Sequence, residues 1–158
     1  MTSDVVYLLA ACIGIVAGLR SLTAPAVVAW GAFLGRIDLA GSPLGFMGSK
    51  AAVAIFTLLA LGEFVSDLLP RTPSRTAPGP LIARIVMGGL CGSCLSLSSG
   101  RSLIAGAVLG GIGGVVGAFG GYQARTRLVR SLGVKDFFVA IPEDLIAIAL
   151  AWLIVFVA

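Results

Sequence analysis

Six apolar stretches follow one another along the chain, each bounded by charged, proline-rich or glycine-rich residues. Several are shorter than the roughly 20 residues that a straight helix needs to cross a bilayer. The pattern predicts an all-α integral membrane helical bundle that forms one domain over residues 1–158. The predicted helices lie at about 5–19, 22–35, 50–69, 81–98, 102–121 and 141–157.

The second apolar stretch allows two interpretations. It follows the first after only Arg20 and Ser21, and it contains Pro25. It is either a tilted span or an arm of a re-entrant hairpin, which is allowed where the backbone is buried in protein.

Composition supports lipid as the surrounding solvent. Of the 158 residues, 58% are hydrophobic and 11% are charged, and the mean hydropathy is +1.08. Too few charged residues are present to build the polar shell of a soluble domain. The net charge of +4 comes from basic residues between the apolar runs, which argues for membrane topology and against nucleic-acid binding.

The basic residues also predict an orientation. If all six stretches cross, eight basic residues lie on one face and three on the other, so the positive-inside rule places residues 70–80 and 122–136 in the cytoplasm and both termini outside. If the second stretch does not cross, the asymmetry is much smaller. The face with eight carries Arg20, Arg71, Arg75, Arg84, Arg125, Arg127, Arg130 and Lys135; the other carries Arg36, Lys50 and Arg101.

Residues 70–80 contain four prolines and predict an extended, stiff connection between the third and fourth helices.

Glycines recur every four residues on neighbouring strips of the predicted fifth helix. This spacing removes side chains from a helix face and lets another helix approach closely. The partner is a helix of the same chain or of a second copy in a homo-oligomer, or the strip forms a groove for an acyl chain or small solute. The glycines are Gly106, Gly110, Gly113, Gly114, Gly117 and Gly121.

Four carboxylates lie near the cytoplasmic face in the six-span arrangement. Glu63 and Asp67 are one helical turn apart. Glu143 and Asp144 follow Pro142, which predicts a helix start with both carboxylates at the positive end of its dipole. Glu63 lies at least a turn inside an apolar run, where a charge is costly and requires a partner, a polar cavity or water.

Arginines are the predicted partners of these carboxylates: Arg20 and Arg84 near helix ends, and Arg71 and Arg75 in the proline-rich connection. The cluster is either a salt-bridge network that locks the bundle or an ion-binding vestibule with exchangeable pairs. Binding of membrane lipid headgroups is a third interpretation.

Catalytic and metal chemistry have weak support. The chain has no histidine, and no nucleophile–base pair or metal-ligand set is visible, so no cofactor, metal or catalytic residue is predicted. Cys91 and Cys94 have C-x-x-C spacing, but they stand in an apolar segment without the strand of a thioredoxin-like site.

Four motifs together resemble the small bacterial membrane-protein family catalogued as domain of unknown function 4126. The resemblance covers nearly the whole chain and implies a multi-pass protein of the bacterial inner membrane, but it brings no activity with it. The motifs are Ala17-Gly18-Leu19-Arg20-Ser21, Glu63-x-x-x-Asp67-x-x-Pro70-Arg71-Thr72-Pro73-x-Arg75, Gly117-x-x-x-Gly121-Tyr122-x-x-Arg125 and Glu143-Asp144.

Two function classes follow from the sequence. The first is a small channel- or transporter-like protein for an ion or small solute, with Glu63 in contact with an arginine or a polar cavity. The alternative is a structural or assembly membrane protein that binds partner helices or lipid through its glycine-rich face.

Overall fold

The computed structural model describes residues 2–67, 76–133 and 136–158, without the side chains of residues 67, 132 and 136–138. Within these ranges the chain is an all-helical bundle with no strand, which confirms the predicted all-α helical bundle. A short 3₁₀ helix, Gly45–Gly48, interrupts one connection. The six α-helices are α1 (Ser3–Leu19), α2 (Thr23–Phe33), α3 (Lys50–Asp67), α4 (Pro78–Ser98), α5 (Leu103–Leu132) and α6 (Asp136–Val157).

Helices α1 and α5 pack side by side in the same direction. Gly14 lies against the carbonyl of Gly110, and Gly18 lies against the carbonyl of Gly114. Positions four residues apart on one helix therefore meet positions four residues apart on the other. The absence of side chains at these positions lets the two backbones touch.

Helix α4 packs against α5 in the opposite direction. Gly88 lies against Gly110, whereas Gly92, one turn later, lies against Gly106, one turn earlier. The contacts of α5 with α4 and α1 are the most extensive between helices. The glycine-rich core of the bundle is therefore a three-helix unit of α1, α4 and α5.

Helix α2 runs antiparallel to α3 and parallel to α6. Its N-terminal end meets Glu63, and Trp30 near its C-terminal end donates a hydrogen bond to Thr57, earlier on α3 (Nε1 to Oγ1, 3.1 Å). Along α6, Arg20 contacts Asp144 near one end, and Gly31 contacts Val155 near the other. Helices that follow one another in the chain thus run in alternate directions.

Because of these directions, the N-terminal ends of α2, α4 and α6 lie at the same end of the bundle as the C-terminal ends of α1, α3 and α5. We call this the charged end of the bundle, because Arg20, Glu63, Arg84 and Asp144 meet there. The turn between α1 and α2 therefore lies within a layer of ionised side chains.

Helix α2 is short and enclosed. Its 11 residues extend over about 16 Å at 1.5 Å per residue, which is about half of a bilayer core. Most of its residues are buried, among them Val28 and Ala29. An apolar helix without a polar face requires such an enclosed position.

The predicted end of the fifth helix near residue 121 is wrong, because α5 continues to Leu132. The sequence changes there from glycine-rich to charged, but charged residues such as Arg127 are good helix formers. The helix ends where Gly133 adopts a positive φ of 62° and closes the last turn with a hydrogen bond from its N–H to Val129 O (3.1 Å). The basic residues that follow the apolar run are therefore helical.

The predicted start of the sixth helix at Pro142 is also wrong. Helix α6 begins at Asp136, and Pro142 lies inside it. Membrane helices tolerate an internal proline where neighbouring groups satisfy the freed backbone. Glu143 and Asp144 are therefore not at a helix N-terminus, and the dipole role predicted for them does not apply.

The extended connection predicted over 70–80 ends earlier than expected. Helix α4 begins at Pro78 and includes Pro80 in its first turn. Proline is suited to these positions because the first N–H groups of a helix have no helical partner.

Candidate functional site

The chain reverses at the charged end in a three-residue break. Arg20 has an extended backbone (φ −139°, ψ 107°), and α2 begins at Thr23. The break leaves backbone N–H groups at the start of α2 without acceptors in their own helix. Such groups, together with the helix dipole, favour a negative charge at this position.

Glu63 supplies that charge from α3. One carboxylate oxygen, Oε1, accepts hydrogen bonds from the N–H and the hydroxyl of Ser21 (2.9 and 2.7 Å). The other, Oε2, accepts from the Leu22 N–H (2.9 Å). The Glu63 side chain is only 8% exposed, so these donors replace water around a buried carboxylate.

Arg84 of α4 completes this arrangement. Its Nη2 lies 3.9 Å from Glu63 Oε1, while its Nε donates to Gly18 O (2.9 Å) and its Nη1 donates to Pro80 O (3.2 Å). The guanidinium therefore satisfies a carbonyl at the end of α1 and faces the carboxylate with its charge. We call the hydrogen-bond donors of Ser21 and Leu22, together with the Arg84 guanidinium, the carboxylate cradle.

A buried hydroxyl lies directly beside the cradle. Thr23, the first residue of α2, is almost fully buried, and its Oγ1 has no hydrogen-bond partner within the described parts of the chain. A buried hydroxyl without a partner is costly. The first residue of α2 thus has a hydroxyl without a hydrogen-bond partner among the described residues, next to the donors that hold Glu63.

Arg20 forms the second charged pair. Its Nε donates to Asp144 Oδ1 at 2.6 Å, and Nη2 makes a close ion pair with the same oxygen. The guanidinium carbon lies 5.2 Å from the centre of the Phe64 ring. Arg20 is 1% exposed and Asp144 21% exposed, so this pair links the α1–α2 break to α6 within the interior.

A third pair joins α5 to α6. Arg125 Nη1 lies 3.5 Å from Glu143 Oε2, and both side chains are mostly buried. The three pairs connect five of the six helices at the charged end. Each ionised group in them has an oppositely charged neighbour.

The structure brings together most of the predicted polar residues. Arg20, Glu63, Arg84, Glu143 and Asp144 all lie at the charged end. The side chain of Asp67, together with Arg71 and Arg75, lies outside the described residues.

Four participants were not predicted: Ser21, Leu22, Phe64 and Arg125. Ser21 and Arg125 do stand in the motifs that carry the family resemblance. The Leu22 N–H acts through the backbone, so its side chain gave no signal. In the sequence, Phe64 is one of many apolar residues of α3, and only the structure shows that Arg20 lies over its ring.

The glycines of α5 lie on two helix contacts. A Cβ on Gly106 or Gly110 would collide with α4, and one on Gly113 or Gly117 would collide with backbone atoms of α1. A Cβ on Gly114 would come 2.7 Å from Arg84 O.

Gly121 is buried farther along α5 and lines a groove toward α6. This groove begins beyond the glycine contacts with α1 and α4.

The cysteines lie inside the three-helix core. Cys91 and Cys94 are buried free thiols on α4, and they pack within the hydrophobic core. Among the described residues, no group of three or more cysteine or acidic side chains could hold a metal ion.

Comparisons with known proteins found no matching family model, no curated relative and no matching solved structure. The resemblance to the family of domain of unknown function 4126 therefore stays a prediction.

Proposed function

We propose that this chain is a multi-pass membrane protein. Three helical segments are long and apolar enough to cross a bilayer: Pro78–Ser98, Leu103–Ser131 and Val139–Val157. Large apolar side chains also point outward, such as Leu58 and Ile104, which are 69% and 72% exposed. An apolar outer surface of this kind is costly in water and suits lipid.

The charged end faces the cytoplasm in this proposal. Arg84 and Arg125 lie at this end, whereas Lys50 starts α3 at the opposite end. The alternating helix directions support the six-span assignment, with its excess of basic residues on one side. The short helix α2 crosses only part of the bilayer within protein, and the connection 34–49 completes the distance.

Cysteine labelling in intact cells tests this orientation. Ala40→Cys, in the connection before α3, should react with an impermeant maleimide added outside, whereas Ser131→Cys, near the end of α5, should react only after lysis. Both native residues are exposed, so access to each thiol depends on its side of the membrane. Labelling of position 131 from outside would contradict the topology.

We propose further that the protein is a transporter-like carrier of a small monovalent anion, with the carboxylate cradle as its binding site. The observation that supports this is the occupant of the cradle, a carboxylate from a different helix held at a helix break. Breaks in membrane helices place N-terminal dipoles at anionic substrates in several transporters. Here Glu63 takes the position that a substrate anion would take.

Displacement of the Glu63 carboxylate opens the cradle to an external anion. The hydrogen-bond donors of Ser21 and Leu22 then face the anion, and the Arg84 guanidinium faces it with its positive charge. The anion supplies the negative charge that Glu63 otherwise supplies. Glu63 and the external anion thus compete for the same position.

Proteoliposomes loaded with nitrate test the proposal, because nitrate is planar and presents oxygen atoms as a carboxylate does. Nitrate efflux, measured with a selective electrode under a clamped membrane potential, should exceed that of protein-free liposomes. Glu63→Gln should keep the fold and raise nitrate efflux, because a neutral amide competes with the anion less strongly than a carboxylate does. Wild-type efflux equal to that of protein-free liposomes would refute transport of this anion.

A structural role is the second candidate function, and the three ion pairs at the charged end favour it. If Glu63 only locks the bundle, Glu63→Gln should lower the free energy of unfolding because Arg84 loses its counter-ion. Removing Arg84 as well should restore part of the loss. Stability and efflux measured on the same variant therefore separate the two functions.

A further inference from the structure

A groove of about 330 Å³ opens between α5 and α6 beside the charged end. Helix α5 contributes Ala124, Arg125 and Leu128 to its walls, and Glu143 and Ile146 come from α6. These positions are three and four residues apart, so each helix presents one continuous face to the groove. The two faces do not close on each other, and α5 shares far fewer contacts with α6 than with α1 or α4.

The walls of the groove are apolar except for one pair of opposite charges. Arg125 and Glu143 lie 3.5 Å apart, and their side chains remain 15% and 14% exposed. Both side chains line the groove. A molecule in the groove would meet hydrocarbon along most of its length and one positive and one negative charge at the same depth.

We propose that this groove binds one phospholipid whose headgroup carries a phosphate and a primary ammonium. One acyl chain lies along Gly121 and Ile146, on the bilayer side of the two charges, the phosphate lies at Arg125, and the ammonium lies at Glu143. The charges of the headgroup and of the protein are then complementary in sign. This inference does not depend on anion transport.

Other headgroups match the groove less well. A purely anionic headgroup satisfies Arg125 but leaves Glu143 facing a like charge. A choline headgroup has the right charges, but its quaternary nitrogen has no N–H to donate to the carboxylate, whereas a primary ammonium has three. The groove should therefore prefer phosphatidylethanolamine.

Native mass spectrometry of the purified full-length protein tests this preference. The protein in dodecyl maltoside is mixed with equal amounts of dioleoyl phosphatidylethanolamine, phosphatidylcholine and phosphatidylglycerol. We expect one bound phosphatidylethanolamine for each chain, at about tenfold higher occupancy than either competitor. Equal binding of the three lipids, or preference for phosphatidylglycerol, would overturn the proposal.

Three variants assign the site. Glu143→Gln should abolish the preference for phosphatidylethanolamine over phosphatidylcholine, and Ala124→Phe should reduce binding of all three lipids by filling the groove while leaving both charges in place. Arg130→Gln is the matched control, because Arg130 is exposed on the same helix and does not line the groove. Circular dichroism verifies that each variant is folded. Equal lipid binding by Ala124→Phe and Arg130→Gln would show that the groove is not the binding site.

Discussion

Replacing Gly117 by leucine is expected to destabilise the bundle by roughly 3 kcal/mol, at the upper end of the usual cost of overpacking. A Cβ at this position would collide with the carbonyl oxygen of Ile15 and come 2.9 Å from the Cα of Gly18. These are backbone atoms of α1, so no rotamer change can relieve the overlap. The two helices must separate and lose their close packing.

Gly120→Leu is the matched control on the same helix. A Cβ at Gly120 meets no atom within 4 Å, so leucine there should be neutral or stabilise the helix by up to about 1 kcal/mol through its higher helix propensity. Reversible unfolding of both variants in the same detergent compares the two sites. Equal stability of Gly117→Leu and Gly120→Leu would show that the α1–α5 contact is not close in solution.

Asp144→Ala is expected to cost about 3 kcal/mol, the lower end of the range for breaking a buried ion pair, because Arg20 is buried whereas Asp144 is 21% exposed. Arg20 is 1% exposed and cannot turn its guanidinium to water. The ring of Phe64 offers a weaker interaction with the cation than a carboxylate does. The buried guanidinium would therefore lose the carboxylate oxygen that both its Nε and its Nη2 contact.

A double-mutant cycle measures this coupling. Arg20→Met combined with Asp144→Ala should be more stable than the sum of the two single losses implies, because the interaction between the two side chains is then lost once rather than counted twice. Asp38→Asn is the control carboxylate, since Asp38 is exposed and its Oδ1 accepts only a local hydrogen bond from Ala40 N, which asparagine can also accept. Strictly additive losses at Arg20 and Asp144 would contradict the pairing.

Sequence patterns located the helices well but placed several of their ends incorrectly. The apolar runs located all six helices because burial of apolar surface acts along each segment separately. Charged residues after Gly121 predict the end of α5, and Pro142 predicts the start of α6, whereas α5 continues to Leu132 and α6 begins at Asp136. Both errors arise because charge and proline mark changes of environment as well as helix boundaries.

The sequence predicted part of the surroundings of Glu63. The cost of a carboxylate inside an apolar run required compensation, and Arg84 was among the predicted partners. The cradle also uses a hydroxyl and two backbone N–H groups from the α1–α2 break. The sequence does not show that these donors face Glu63, because that depends on α3 returning alongside the break.

The sequence by itself determined that the chain forms apolar helices, that its fifth helix can be approached closely, and that its interior carboxylates need partners. These properties depend on residue types and their spacing within one segment. Only the tertiary structure decided which charges pair, as for Arg20 with Asp144 and Arg125 with Glu143. Pairing depends on helix direction, rotation and depth, and several arginines were equivalent candidates until packing set those three quantities.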